Sequence, residues 1–254
     1  MLLAIDIGNT QIATGVFVGD ELVVHWRLSS AIDRTEDETW ILMKYICSEH
    51  GYDISAVKGV SISSVVPNVT ATFEKVAVKY LGLEPVVVSS KIKTGLKIMY
   101  DNPANVGADR ICNAVAGYEK FGGPLVIVDL GTATTFDVIT KNGEYLGGII
   151  APGIEMSAMI LHQRAAKLPR VELHFPESVI GQSTETSMQS GLMYGTVEMV
   201  KGFINRINQE MGQEVKVVLT GGLARLIINK LGSGYTLEPF LTLEGLKKIF
   251  EKVK

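Results

Sequence analysis

Cysteine, tryptophan and histidine are scarce in this chain of 254 residues, which holds two, two and four of them. Cys47 and Cys112 stand far apart in sequence. That excludes a disulfide framework and a zinc site of paired cysteines, and both thiols are expected to be small buried apolar residues. The four histidines, His25, His50, His162 and His174, share no motif spacing and are expected at the surface or at interfaces. Positive charge is not in excess: 24 Lys and Arg face 27 Asp and Glu, a formal net charge of −3. The basic surface that nucleic-acid binding requires is therefore missing. The richest apolar stretch, Tyr145 to Leu161, is broken by Glu155, Pro152 and several glycines, short of the roughly 18 to 20 residues that span a bilayer. Met1 to Ala4 has no basic residue before it and its apolar run stops at Asp6, so no signal peptide is expected. These absences point to a cytoplasmic protein with neither membrane nor nucleic acid as partner. A hydrophobic share of 46% beside 20% charged residues supplies a full core and excludes disorder as the main state.

Length alone allows one large domain or two small ones, and an internal repeat decides for two. Leu2 to Asp6 reads as a buried strand, Gly8-Asn9-Thr10 as a turn, Ile12 to Val18 as a second strand and, after Gly19-Asp20, Glu21 to Arg27 as a third. The order returns 123 positions later in Leu125 to Asp129, Gly131-Thr132, Thr134 to Thr140, Asn142-Gly143 and Glu144 to Ile150. After the first meander, Thr35 and Glu38 predict a capping box for a helix with Ile41, Leu42, Tyr45 and Ile46 on one face. The strand Gly59 to Ser63 then leads through Pro67 and the cap candidate Asn68 into a helix with Phe73, Val76, Ala77 and Tyr80, closed by Gly82. After the second come a helix around Gly191 to Met211, the strand Val215 to Thr220 and a further helix opened by Gly221-Gly222. The Lys- and Glu-rich end, Glu244 to Lys254, reads as a solvated amphipathic helix. The join falls in Tyr118 to Pro124, giving α/β lobes of residues 1–119 and 120–254 with a cleft expected between equivalent hairpins.

The two hairpins, Asp-x-Gly-x-Thr at Asp6 and Asp-x-Gly-Thr at Asp129, suit a phosphate ligand. Glycines let the backbone come close, and turn N–H groups with Thr or Asn side chains hold phosphate oxygens. The carboxylates of Asp6 and Asp129 repel phosphate unless a cation stands between, so this reading carries a metal with it. One such turn is more often a plain strand end, but two copies in one duplicated frame reverse that weighting. The sequence has no P-loop, no Gly-x-Gly-x-x-Gly, no His-Glu-x-x-His and no Gly-x-Ser-x-Gly.

The order Asp6-Ile-Gly-Asn-Thr10, Ser64-Val-Val-Pro67, Tyr100-Asp-Asn-Pro103, Gly107-Ala-Asp-Arg110, Asp129-Leu-Gly-Thr-Ala-Thr134, Gly147-Gly148 to Pro152-Gly153 and Leu219-Thr-Gly-Gly222 resembles type III pantothenate kinase. The match spans nearly the whole chain, and Gly-Ala-Asp-Arg between two phosphate hairpins is its specific part. The resemblance implies two ribonuclease-H-like lobes of the acetate kinase, sugar kinase, heat-shock ATPase and actin superfamily. It implies ATP and pantothenate as substrates, with 4′-phosphopantothenate formed as the first committed step of coenzyme A synthesis.

Residue by residue, the resemblance places Asp6, Ile7, Gly8, Asn9, Thr10, Gln11, Ile12 and Ala13 along the ATP phosphates. It gives Thr132 to an ATP contact, Gly221 and Gly222 to the adenosine motif, and Asp129 to a monovalent cation, potassium or ammonium. Tyr100, Gly107, Ala108, Asp109 and Arg110 match the pantothenate site, and Thr184 matches a substrate contact near the interface of a homodimer. A divalent metal, magnesium, is expected with ATP. Asp109 is the expected general base, since phosphoryl transfer needs an aligned hydroxyl and an acceptor for its proton. Without the resemblance, Asp109-Arg110 reads more simply as a surface ion pair worth at most about 1 kcal/mol. Two departures, Asn105 where an acid is frequent and Gln11 after Gly-Asn-Thr, touch neighbouring contacts and no catalytic group. The competing expectations are a regulatory protein like the Bvg accessory factor, which the acidic composition disfavours as a direct DNA binder, and another kinase or phosphohydrolase of the same fold.

Overall fold

The computed structural model describes residues 1–254, which form two compact units: Met1–Ala116 with Leu241–Lys254, and Gly117–Phe240. In the first, β1 (Leu2–Ile7), β2 (Gln11–Val18) and β3 (Glu21–Ser29) make an antiparallel meander. β4 (Gly59–Ser64) and β5 (Val86–Val87) extend it in parallel, in the order β3-β2-β1-β4-β5. A short strand, β6 (Lys97–Ile98), follows. In the second unit β7 (Leu125–Leu130), β8 (Ala133–Ile139) and β9 (Glu144–Pro152) form the meander, and β10 (Lys216–Thr220) and β11 (Tyr235–Leu237) add in parallel. Their order, β9-β8-β7-β10-β11, repeats the first. Each meander also breaks register at a matching place, between Val16 and Phe17 and between Val138 and Ile139. The sequence repeat is thus a repeat of sheet topology. No helix is long and apolar enough to cross a membrane.

Seven α-helices complete the units: α1 (Glu36–Glu49), α2 (Pro67–Val76), α3 (Ala108–Phe121), α4 (Ile154–Arg164), α5 (Thr184–Met211), α6 (Ala224–Leu231) and α7 (Leu241–Val253). β1 is buried on both faces, as a strand with parallel and antiparallel neighbours inside a sheet must be. Leu3, Ile5 and Ile7 meet Met43 and Cys47 of α1 and Val69, Phe73 and Val76 of α2 in one core. In the second unit Val126, Val128, Leu130 and Phe136 pack with Met193, Val197, Val200 and Ile204 of α5.

Four local expectations are changed by packing. The Thr35–Glu38 capping box is present, with Glu38 N–H donating to Thr35 Oγ1 and Thr35 N–H to the Glu38 carboxylate. Yet α1 buries Thr39, Met43 and Cys47, leaving Ile41 64% and Tyr45 62% exposed. Apolar residues crowd this helix on several sides, so periodicity does not choose the inner face. Asn68 does not cap α2; Pro67 opens it after Val66, using the position where a missing N–H costs nothing. The helix expected around Gly191 starts earlier, at Thr184, because Ser183 and Thr186 form a reciprocal cap. The C-terminal helix is not a solvated end. Leu241, Leu243, Leu246 and Ile249 are buried, and α7 packs on β1, β2 and β4, so residues 241–254 join the first unit although the repeat puts them after the second.

Two glycines set how closely α7 sits. A Cβ on Gly59 of β4 would fall 2.2 Å from the Phe250 ring, and one on Gly245 of α7 would fall 2.0 Å from the Cys112 carbonyl oxygen of α3. Ser61 Oγ donates to Leu246 O at 3.1 Å, Thr242 Oγ1 to Asn113 Oδ1 at 2.8 Å, and the Lys252 ammonium to Thr94 O at 2.7 Å. Buried Lys247 reaches Asp20 and Glu251. Gly245→Ala is expected to lower stability by about 1 to 3 kcal/mol, the range for overpacking against backbone that cannot yield. Chemical denaturation of the two proteins checks this, and equal midpoints would show that the α3–α7 contact relaxes freely.

Candidate active site

The first hairpin lies where β1 gives way to β2. Asp6 is the last half-buried side chain of β1, and Gly8 N–H donates to Gln11 O at 3.0 Å to close the turn. A Cβ on Gly8 would stand 3.1 Å from that same oxygen, so the turn is kept tight by the missing side chain. Asn9, Thr10 and Gln11 are exposed, while Ile7 and Ile12 are buried. Of the segment Asp6 to Ala13, the turn residues can therefore meet a ligand by side chain, and Ile7 and Ile12 by backbone alone. Ser30, just beyond β3, donates its hydroxyl to Gly8 O at 2.5 Å and its N–H to Thr10 O at 3.1 Å.

Gly107-Ala-Asp-Arg110 opens α3 in the same unit. Ala108 and Arg110 are buried, and Asp109 is half-buried in the first turn, where the helix dipole favours a carboxylate. Asp109 Oδ1 accepts the Arg110 N–H at 2.8 Å. A Cβ on Gly107 would lie 2.4 Å from that oxygen. Gly107 thus leaves the room that the carboxylate occupies, which accounts for the glycine beside the acid. Asn102 turns the preceding segment by accepting Ala104 N–H at 3.1 Å, and Tyr100 is half-buried just before it. One turn further along α3, Cys112 is fully buried. Burial first, then the negative fields of Asp6 and Asp109, hold its thiol well above the usual range. The hairpin acid and the helix acid therefore both lie within electrostatic reach of one buried sulfur.

The second hairpin repeats the first with different fastenings. Gly131 N–H donates to Ala133 O at 3.1 Å, and Gly153, which caps α4, donates its N–H to Thr132 O at 3.1 Å. Gly153 needs to be glycine, since a Cβ there would fall 2.3 Å from Thr132 O. Asp129 is half-buried and Thr132 exposed. Gly221, with φ of +91°, would place a Cβ 2.5 Å from Asp129 Oδ1, whereas Gly222 faces open space. The two glycines so differ in role: Gly221 makes room for Asp129, and Gly222 leaves the surface clear. Thr184 is exposed at the first turn of α5, in the second unit. Asp137 of β8, passed over in the sequence because it has no motif, is fully buried and accepts the Tyr145 hydroxyl at 2.6 Å. Ser30 and Gly245 were equally without signal, since both act through partners distant in sequence.

Comparison with known proteins decides the family. A model of the type III pantothenate kinase family matches residues 2–206, and a type III pantothenate kinase of Moorella thermoacetica is 48% identical over 252 residues, covering 99% of each chain. The chain belongs to the type III pantothenate kinase family. Solved structures agree on the fold alone. A structure from Campylobacter jejuni described under the Baf family of transcriptional activators superposes with a TM-score of 0.62 at 18% identity, covering 98% of both chains. The ADPNP-bound activator of a 2-hydroxyisocaproyl-CoA dehydratase from Clostridium difficile gives 0.55 at 13%, over 98% and 94%. A glucokinase of the ROK family from Streptomyces griseus gives 0.52 at 13%, over 99% and 98%. The chain shares its two-sheet α/β fold with these proteins.

In this pantothenate kinase family member both cysteines are poor nucleophiles. Burial pushes Cys47 up to about 11 and Cys112 well above its ordinary value, so at pH 8 each carries far less thiolate than a free thiol. A maleimide at that pH is expected to leave native protein unmodified and to take two equivalents after unfolding. Rapid native labelling of Cys112 would show that the α3–α7 packing opens.

Proposed function

We propose that this chain transfers the γ-phosphoryl group of ATP to the primary alcohol of pantothenate, with Asp109 as general base. The observation that supports the reading is the Asp109 carboxylate, fixed over Gly107 at the first turn of α3 in the same unit as the glycine-tightened turn after Asp6. Asp109 Oδ1 is held by its own helix, so Oδ2 is the oxygen offered to the substrate hydroxyl. As the alcohol oxygen bonds to phosphorus and the bond to ADP breaks, the hydroxyl proton passes to that carboxylate. Buried Arg110 and half-buried Tyr100 hold polar groups of pantothenate, whose carboxylate suits charge-assisted donors. Gly107 and Ala108 bring backbone close to it.

On the nucleotide side, turn N–H groups and the Asn9 and Thr10 side chains take phosphate oxygens, Thr132 contacts ATP from the second hairpin, and Gly221-Gly222 receives the adenosine. Asp129 is proposed as the ligand of a monovalent cation, potassium or ammonium. The chain holds no group of three or more His, Cys, Asp or Glu placed to enclose a metal. A single hard carboxylate with space kept beside it by Gly221 fits an ion of low charge completed by other oxygens. When bound, that cation offsets phosphate charge near Asp129. A divalent metal, magnesium, travels with ATP as part of the substrate. Thr184 and the neighbouring apolar Val179 and Ile180, 61% and 81% exposed, support a homodimer in which this segment reaches a substrate site.

Purified protein with ATP, Mg²⁺ and potassium or ammonium is expected to release ADP only when pantothenate is added, with 4′-phosphopantothenate identified by mass. Asp109→Asn should lower kcat by roughly 10² or more while ATP still binds; near-normal turnover removes the proposed base. Asp129→Ala should abolish the response of the rate to potassium or ammonium, and a variant that keeps that response places the cation elsewhere.

A further inference from the structure

We propose that Ser30 is a positioning residue that turns the carbonyl groups of the first hairpin away from ATP, so that its N–H groups face the phosphates; the inference rests on the reading of that hairpin as a phosphate site. A three-residue turn has as many carbonyl oxygens as N–H groups, and an anion is repelled by the first as strongly as it is drawn by the second. What makes such a turn bind phosphate is the direction of its peptides. Here one residue controls two of them. Ser30 Oγ donates to Gly8 O at 2.5 Å and Ser30 N–H to Thr10 O at 3.1 Å. Gly8–Asn9 is a trans peptide, in which N–H and C=O point to opposite sides. With the Gly8 carbonyl drawn to Ser30, the Asn9 N–H is aimed at the other face of the turn.

Ser30 is itself fixed from behind. Ser29 pairs with Gln11 across β3 and β2, Ala31 N–H donates to Ser29 O at 2.9 Å, and the Arg34 guanidinium donates to Ser29 O and Oγ at 3.3 and 3.2 Å. The end of β3 therefore presents the Ser30 hydroxyl on a braced support. The second hairpin shows which part of this is special. There Gly153 N–H holds Thr132 O as Ser30 N–H holds Thr10 O, but Gly153 has no side chain. The backbone clamp belongs to the duplicated fold, while the hydroxyl clamp on Gly8 belongs to the first hairpin alone.

Calorimetric titration of ATP and of adenosine into wild type, Ser30→Ala and Asn9→Pro tests this. Ser30→Ala is expected to weaken ATP about tenfold or more, the lower part of the range for one hydrogen bond to a charged group, with adenosine affinity and the pantothenate KM unchanged. Asn9→Pro, which removes the aimed N–H, should weaken ATP at least as much. If Asn9→Pro weakens ATP and Ser30→Ala does not, the positioning role is overturned while the hairpin remains a phosphate site. If neither variant weakens ATP, the reading of the hairpin fails and the inference falls with it. Should Ser30→Ala melt too low to titrate, the equal-sized pair Ser30→Thr and Ser30→Val isolates the hydroxyl: Thr is expected to bind ATP as wild type and Val to share the loss, and equal affinity in the two overturns the proposal.

Discussion

The approach of α7 to α3 is the packing constraint on which the proposed chemistry of the first unit depends. Gly245 lets the C-terminal helix rest on the backbone of Cys112, and Thr242 bonds the next residue, Asn113. Cys112 lies three positions after Asp109, one helical turn. The depth of that contact therefore sets how deeply the N-terminal turn of α3 is seated in the first unit. α7 is in turn fixed to the sheet by Ser61, by Phe250 over Gly59 and by Leu243 against Gly15. A continuous set of contacts, side-chain to the sheet and close backbone approach at Gly245, thus runs from the sheet through α7 to α3. Close packing leaves such a path little freedom, so on the proposed reading it positions the first turn of α3 without a side chain that need touch either substrate.

Both proposed working acids share one local device. Asp109 Oδ1 lies where a Cβ on Gly107 would be, and Asp129 Oδ1 lies where a Cβ on Gly221 would be, at 2.4 and 2.5 Å. The devices are otherwise unrelated: Gly107 precedes a helix in ordinary backbone space, whereas Gly221 has φ of +91° after a strand. At Gly107 the glycine serves space, whereas at Gly221 it serves both space and a backbone conformation that other residues rarely adopt. A carboxylate seated against backbone has few orientations left, and a general base or a cation ligand gains from that restriction because less freedom is lost in the reaction.

The sequence was most legible where order along the chain is itself structural. The meanders, their turns, the Thr35 cap and the succession of strand and helix could be read because they depend on neighbours within a few residues, and the repeat tied the two hairpins together before any packing was known. The Gly-Ala-Asp-Arg motif was legible only through its family resemblance, since alone it reads as an ion pair. What escaped depends on distant partners. α7 repeats the pattern of a surface helix, yet it buries Lys247 and four apolar residues against a sheet 180 or more residues earlier in the chain. Ser30 looks like any serine after a strand until the turn 20 residues before it is folded against it. The inner face of α1 was ambiguous because Met43 and Cys47 compete with Ile41 and Tyr45, and the core of the first unit makes the choice.

Fold likeness at 11 to 18% identity extends to proteins described as a transcriptional activator, a dehydratase activator and sugar kinases. What these chains share with this one is the fold alone. A shared fold does not by itself fix the ligand or the acceptor. On the proposed reading the acceptor is chosen by the α3 N-terminus. Its acid is seated over Gly107, its arginine is buried, and its distance from the sheet is set by a glycine in α7. Buried Arg110 argues for this division most directly. A guanidinium kept from water is costly unless geometry repays it, and an adjacent surface pair with Asp109 would have left it exposed. Its burial excludes the reading of Gly-Ala-Asp-Arg as a solvated surface ion pair and supports the proposed substrate site.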